Sequence, residues 1–207
     1  MDKNTGNGVK YGIIKTASSP MSHTFVSSIV WQRLDAPGHD YAALEHGEHG
    51  PRLSGCAVFV EDGVNCLLRY QVDCAPDWST RRVEVGGYRG GEAIALLLET
   101  DANRNWRLNG AEQPQVRGCV DIDLAFTPAT NLLPIRRGRL EIGAVLELNA
   151  AWLQFPALTL APLPQRYTRL SEFGYRYESR QGAFQAELSL TPDGLPRDYQ
   201  GLWREAR

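Results

Sequence analysis

Two acidic side chains form the pattern in this sequence that most directly suggests catalysis. Asp121 and Asp123 occupy positions i and i+2 of the segment GCVDIDL. If this segment is a strand, both carboxylates lie on one side of it, about 6.6 Å apart at ~3.3 Å per residue. That separation suits the acid and base of an inverting glycosidase. Two aspartates on a solvated strand, or one paired with Arg136 or Arg137, are far commoner, so the pair alone does not establish catalysis.

Three histidines lie close together in the chain, but their spacing does not match a recurrent metal site. His39, His46 and His49 follow the pattern H-x6-H-x2-H, with glycine and proline nearby. Structural zinc sites use shorter, paired spacings, and glycine and proline at these positions are typical of a loop. We expect a short helix over residues 39–46, followed by a solvated loop, and we expect no metal.

Signatures of nucleophilic catalysis and of nucleotide binding are missing from the sequence. It contains no G-x-S-x-G, no Walker loop and no G-x-G-x-x-G opening a helix. Cys56, Cys66, Cys74 and Cys119 include no C-x-x-C pair, and isolated thiols in apolar strands behave as small buried hydrophobes. The glycine-rich GGYRGG, residues 86–91, predicts a hairpin tip. We therefore expect no cofactor and no disulfide framework.

A third group of residues has the side-chain types that bind a polar head group. It occupies the segments DCAPDWSTRRVEV (73–85), DIDLAFTPATNLLPIRR (121–137) and QRYTRL (165–170). Aromatic rings stack on the C–H faces of sugars, Asn, Gln and Thr bond hydroxyls, and Arg holds anions. The alternative is that these side chains form surface ion pairs and the buried hydrogen bonds that fix turns.

The elements that position these residues follow a period of two. Alternation of apolar and polar residues over 64–72, 81–85 and 183–190 predicts strands with one solvated face, which favours an antiparallel sheet. Residues 93–98 and 144–153 are apolar on both sides and predict central strands with both faces covered. Turn residues separate these runs, with D-G at 62–63 the strongest hairpin signal. About ten or more strands result, and such a sheet closes, splits or wraps into an open half-barrel.

Length and charge limit the class of protein. The chain has 207 residues, which indicates one domain. Its formal charge of -2 and pI near 6.1 give no field that would hold a nucleic acid. No stretch approaches the ~20 apolar residues of a membrane span, and no export signal is visible, so we expect a cytoplasmic protein.

The N-terminal part differs in character from the rest of the chain. Residues 1–24 are mostly polar or small, and we expect them to form a loose tail ahead of one domain over residues 25–207. Organised patterning begins just after Met21, which predicts that Met21 is the working start of the protein.

At the head-group segments the sequence resembles the putative glycolipid-binding family of bacterial proteins. The W-S-T-R-R-V and D-L-x-x-T-P-x-T-N-x-L-P-I-R-R stretches carry the resemblance, which extends over residues 25–207. It implies an all-β single domain: a strongly curved antiparallel sheet forming an open or half barrel with little helix, similar to bacterial lipoprotein carriers. Mapped motif by motif, it implies ligand-binding roles for Trp78, Arg81, Arg82, Asp123, Thr127, Asn131, Arg136, Arg137, Gln165, Arg166 and Tyr167.

Three functions follow from these observations. The first is noncatalytic binding of a glycolipid or similar amphiphile, with its tails in the concave face of the sheet and its head group at the mouth. The second is a hydrolase or transferase acting on a glycolipid or sugar ester through Asp121 or Asp123. The third is a structural or interaction module whose hollow is filled by its own side chains. Strict alternation on strands would place Arg81 and Arg82, and likewise Arg136 and Arg137, on opposite faces.

Overall fold

In the part of the chain that the structure describes, fifteen strands form one continuous, strongly curved sheet that does not close into a barrel. The structure is a computed structural model that describes residues 23–206 of the chain. Residues 1–22, which include Met21 and nearly all of the expected tail, lie outside the described residues. The sheet order is β8-β7-β6-β5-β4-β3-β2-β1-β15-β14-β13-β12-β11-β10-β9. The prediction of an all-β single domain with little helix is confirmed.

The strands are, in chain order, β1 (His23–Arg33), β2 (Gly38–Gly47), β3 (Gly50–Glu61), β4 (Val64–Cys74), β5 (Thr80–Arg89), β6 (Glu92–Thr100), β7 (Trp106–Leu108), β8 (Ala111–Glu112), β9 (Ile122–Leu124), β10 (Val145–Leu153), β11 (Leu160–Arg169), β12 (Gly174–Ser179), β13 (Phe184–Leu190), β14 (Pro196–Tyr199) and β15 (Trp203–Glu205). The α-helix α1 (Leu132–Gly138) follows β9, and short 3-10 turns occupy Pro114–Val116, Ala129–Asn131 and Arg180–Gly182.

Neighbouring strands are antiparallel, with one exception. Strand β9 runs parallel to β10, and the first and last strands, β1 and β15, pair in the middle of the sheet. The Asp62–Gly63 turn between β3 and β4 has φ values of 50° and 75°, which is the left-handed geometry that a two-residue hairpin of twisted strands requires. The hairpin prediction at this position is confirmed.

Period-two patterning gave the faces of the strands correctly where one face is solvated. In β4 the side chains of Cys66, Leu68, Tyr70 and Val72 are buried on the concave side, and that of Arg69 is exposed on the other. The concave face of the sheet is therefore a continuous apolar surface, which needs to be covered.

Two predictions about local structure are wrong. Residues 39–46 form part of β2 rather than a helix, because Asp40, Ala42 and Leu44 alternate toward the core. Strands β6 and β10 are not covered on both faces. They lie close to the two edges of the sheet, where Ala93, Ala95 and Val145 are exposed.

The hollow of the curved sheet is filled by the chain itself. Residues 114–138, here called the internal segment, include β9 and α1 and carry a series of fully buried apolar side chains. Phe126, 2% exposed, lies between the ring of Phe59 at 6.4 Å, that of Tyr70 at 5.9 Å and that of Phe155 at 6.0 Å. The other buried apolar residues of the segment are Val116, Cys119, Ile122, Leu124, Ala129, Leu132, Leu133 and Ile135. The expected open apolar hollow is thus occupied.

A buried polar cluster fixes the internal segment to the floor of the sheet. The hydroxyl groups of Thr127 and Tyr70 both donate to the carboxylate of Asp40, the Tyr70 bond at 3.0 Å, and Asp40 is only 1% exposed. Tyr70 reaches Asp40 by crossing over Gly55, where any Cβ would collide with the phenol ring. Burial raises the pKa of Asp40 to about 7, although both hydrogen bonds oppose the shift.

Further hydrogen bonds hold the ends and the middle of the internal segment. The indole of Trp106 donates to the carbonyl of Cys119 at 2.8 Å, and the phenol of Tyr167 donates to the side-chain oxygen of Asn131 at 2.8 Å. The backbone N–H of Ile122 donates to the hydroxyl of Thr80 at 3.1 Å. Each bond satisfies a buried polar group, so the segment packs as part of the core.

If Phe126 fills the hollow, Phe126→Ala should lower the free energy of unfolding by about 3–5 kcal/mol, because it leaves a cavity among three rings. Urea denaturation measures the change. The matched control is Phe25→Ala, at a side chain 59% exposed, for which we expect a change within about 0.5 kcal/mol. Equal effects of the two substitutions would contradict the burial of Phe126.

The buried Asp40 should make stability depend on pH. Because its folded pKa lies above the ordinary value of 3.8, its contribution is fully present below that pH and is lost as the pH rises through about 7. Asn carries no charge at any pH, so Asp40→Asn should remove most of this loss in the free energy of unfolding, which is on the order of a few kcal/mol. Urea unfolding across this pH range measures the difference. Asp62→Asn, at an exposed turn, is the control and should parallel the wild type.

Candidate functional site

A cleft on the concave side of the sheet lies between the internal segment and strands β10 to β15. We call it the aromatic cleft, and its volume is about 190 Å³. The residues that line it are Asp123, Leu124, Ala125, Thr127, Asn131, Trp152, Leu163, Tyr177, Ser179, Arg180, Phe184, Tyr199, Leu202 and Trp203. Its volume lies below the ~300–1,000 Å³ of typical small-molecule pockets, so it suits a head group better than an acyl chain.

Asp123 supplies the acidic group of the aromatic cleft. It lies on β9 in register with Trp152 of β10, so the two side chains project from the same face. The side-chain amide of Gln165 donates to its carboxylate at 2.6 Å and also to the phenol oxygen of Tyr177 at 3.1 Å. Burial raises the pKa of Asp123 to about 6, with the Gln165 bond opposing the shift. At neutral pH the ionised carboxylate accepts hydrogen bonds.

The walls of the aromatic cleft are rings held in fixed positions. Tyr177, Phe184 and Tyr199 form a triangle of edge-on contacts, with centroids 5.8 to 6.2 Å apart. The guanidinium of Arg180 lies 5.4 Å from the centre of the Trp152 ring. Arg180 has a φ of 51°, a left-handed conformation that costs a non-glycine residue about 1 kcal/mol or more.

Five of the residues expected to bind ligand converge at the aromatic cleft. Asp123, Thr127 and Asn131 line it directly. Gln165 and Tyr167 lie behind them as hydrogen-bond partners of Asp123 and Asn131. Three of these five residues therefore line the cleft, and the other two support it from behind.

The arginines that were expected to bind ligand lie outside the aromatic cleft. Arg137 forms a two-pronged ion pair with Asp121, which is 1% exposed. Arg82 pairs on the outer face with Glu84 and Glu99.

The remaining expected residues lie outside the aromatic cleft as well. Arg166 is half exposed on the outer face, and Arg81 lines a separate surface cleft beside His49. Trp78 and Arg136 lie at the opposite end of the hollow. The prediction that strand alternation separates Arg136 from Arg137 is wrong, because both lie on helix α1.

The rings of the aromatic cleft were not among the candidate residues. Trp152, Tyr177, Tyr199 and Trp203 are distant in sequence and meet only through pairing of β10 to β15. The apolar run over residues 144–153 contains Trp152 but gives no sign of its neighbours across the sheet.

No metal-binding cluster is found in the part of the chain that the structure describes. His39, His46 and His49 lie on β2 or in the turn after it, and residues 23–206 contain no group of three or more His, Cys, Asp or Glu that could hold an ion. None of the helices within that range is long and apolar enough to cross a membrane.

Comparisons with known proteins identify relatives of the chain. A family model described as putative glycolipid-binding matches residues 28–205, which confirms the resemblance carried by the motifs. The crystal structure of a DUF1089 family protein from Pseudomonas aeruginosa is 30% identical, with a TM-score of 0.72. The similarity covers 81% of this chain and 92% of that chain. No curated protein matches the chain.

The hydrogen bond from Gln165 should set the proton affinity of Asp123. Gln165→Met has a similar volume and removes the donor, so the pKa of Asp123 should rise above about 6. Carbon-13 NMR titration of the aspartate carboxyl groups measures the shift, with Asp123→Asn to assign the signal. An unchanged or lower pKa would show that the Gln165 amide does not face the carboxylate.

Proposed function

The chain belongs to the putative glycolipid-binding family, and from this premise we propose that it binds the sugar head group of a glycolipid in the aromatic cleft without converting it. The observation that carries the proposal is a carboxylate at the base of a small cleft whose walls are aromatic rings. This combination is suited to a ring that is apolar on its C–H faces and polar at its edges.

Each part of the cleft has a role in this proposal. The partly exposed ring of Trp152 stacks against one face of the sugar, and the buried ring of Tyr177 supports the wall behind it. The ionised carboxylate of Asp123 accepts bonds from sugar hydroxyls, and the charge strengthens these bonds. Arg180, above Trp152, donates to the outward-facing hydroxyls.

The lipid tail lies outside the hollow in this proposal. The expected position of the tails is taken by Phe126 and its apolar neighbours in the internal segment. An acyl chain would have to displace this segment together with the hydrogen bonds of Thr127 and Asn131. The head group therefore supplies the selectivity of binding. The tail contributes binding free energy only through the apolar surface that it buries at the rim of the cleft.

A hydrolase or transferase is the second candidate, and the raised pKa of Asp123 favours it as a proton donor. Acid–base catalysis by an aspartate pair would also need the carboxylate of Asp121, which is not free to act on a substrate. Asp121 is buried and paired with Arg137, so the two aspartates do not face a substrate together. The third candidate, a module with a filled core, agrees with the packed hollow but assigns no role to the aromatic cleft.

Alkyl glycosides separate these functions. Native mass spectrometry of the wild type with a mixture of octyl glycosides of different sugars, together with sugar-free octyl sulfate, should show retention of a glycoside over octyl sulfate. Trp152→Ala should weaken retention roughly tenfold, because it removes the stacking surface. The matched control, Arg82→Ala on the outer face, should bind like the wild type.

Three results would count against noncatalytic head-group binding. Equal retention of octyl sulfate and every octyl glycoside would mean that the sugar is not recognised. Unchanged binding by Trp152→Ala would remove the aromatic cleft from the account. Release of free sugar by the wild type but not by Asp123→Asn would establish the hydrolase instead.

A further inference from the structure

A second cleft lies at the other end of strand β12 and combines arginines with aromatic rings. We call it the arginine cleft, and its volume is about 420 Å³. The residues that line it are Trp78, Ile135, Arg136, Arg139, Arg169, Glu172, Phe173, Tyr175, Leu190, Thr191, Pro192 and Gly194. It shares no lining residue with the aromatic cleft, and Tyr175 and Ser179, one in each cleft, are about 13 Å apart along β12.

Arg136 is positioned by the indole of Trp78. The guanidinium lies 5.0 Å from the centre of the ring, and the imidazole of His46 meets the same ring edge-on at 5.7 Å. Trp78 has a φ of 71°, which is unusual for a bulky residue. Its backbone N–H donates to the backbone carbonyl of Ala75 at 2.8 Å. A strained backbone conformation of this kind persists only where the surrounding structure enforces it, and such residues cluster at binding sites.

Arg169 is immobilised without being neutralised. Its three guanidinium nitrogens donate to the backbone carbonyls of Leu140, Ser171 and Glu172, at 2.6, 3.1 and 2.8 Å. The guanidinium also lies 5.9 Å from the centre of the Tyr175 ring. Carbonyl oxygens satisfy hydrogen bonds but carry no net charge, so the positive charge of Arg169 stays in the cleft.

The three arginines of the cleft lack acidic partners among the described residues. Arg136, Arg139 and Arg169 form no ion pair with any residue from 23 to 206, so their charges share one cleft without neutralisation. One carboxylate, that of Glu172, lines the cleft, and Glu172 is exposed. The cleft is therefore a concave, cationic site on a fixed frame.

We propose that the arginine cleft binds a phosphate group, either free or on the head group of a lipid. A tetrahedral dianion matches the planar donor forks of Arg136 and Arg139, and the fixed charge of Arg169 adds attraction. The exposed ring of Phe173 provides apolar surface for the substituent that carries the phosphate. The inference does not rest on sugar binding, because the two clefts share no residue.

Calorimetric titration with inorganic phosphate tests the site. The wild type should bind phosphate, and Arg136→Gln and Arg139→Gln should each weaken binding roughly tenfold. Arg139 is exposed, so its substitution should leave the fold intact even if Arg136→Gln disturbs Trp78. The matched control is Arg176→Gln, which removes one charge from the outer side of β12 and should leave binding unchanged.

Vesicle sedimentation distinguishes the two sources of phosphate. Binding to phosphatidylcholine vesicles only when they contain phosphatidic acid, and its loss in Arg139→Gln, would support a lipid phosphate. Binding of inorganic phosphate without any vesicle binding would support a free phosphate compound. The proposal is overturned if the wild type binds neither probe, or if Arg176→Gln weakens binding as much as Arg139→Gln does.

Discussion

A strongly curved sheet has an apolar inner face, and the need to cover that face governs this molecule. The internal segment, residues 114–138, covers it with a series of apolar side chains centred on Phe126. The polar groups of the internal segment are buried with it and would destabilise the core if they had no hydrogen-bond partners. They are paired instead, most deeply where Thr127 and Tyr70 donate to Asp40. The internal segment therefore packs inside the half-barrel as part of its core. The clefts that remain for ligands lie at the two ends of the hollow.

The internal segment also shapes both clefts. At one end it contributes Asp123 to the aromatic cleft, and at the other it contributes Arg136 to the arginine cleft. Helix α1 makes this division possible, because consecutive arginines on a helix point in directions about 100° apart. Arg136 reaches the indole of Trp78, while Arg137 pairs with Asp121 inside the protein. The same motif thus provides one structural ion pair and one cation that lines a cleft.

The sequence was informative where one physical signal dominates. Alternation over residues 64–72 and the glycine at position 63 predicted a hairpin and its buried face, because register and turn geometry are local. The pattern was misread at β2, where the buried Asp40 occupies a position that looks solvent-facing. No local signal shows that an acid is paired with residues 30 and 87 positions away. For the same reason, the motifs did not show that Asp123, Thr127 and Asn131 line one cleft while Trp78 and Arg136 line another.

Locating a bound lipid tail tests the central claim most directly. A crystal structure with an alkyl glycoside that carries bromine at the end of its tail would place the sugar and the tail separately. The account predicts sugar density against Trp152 and Asp123, and an anomalous bromine peak outside the hollow, with Phe126 still in contact with Phe59 and Tyr70. A bromine peak between Phe59 and Tyr70, with the internal segment displaced, would contradict it.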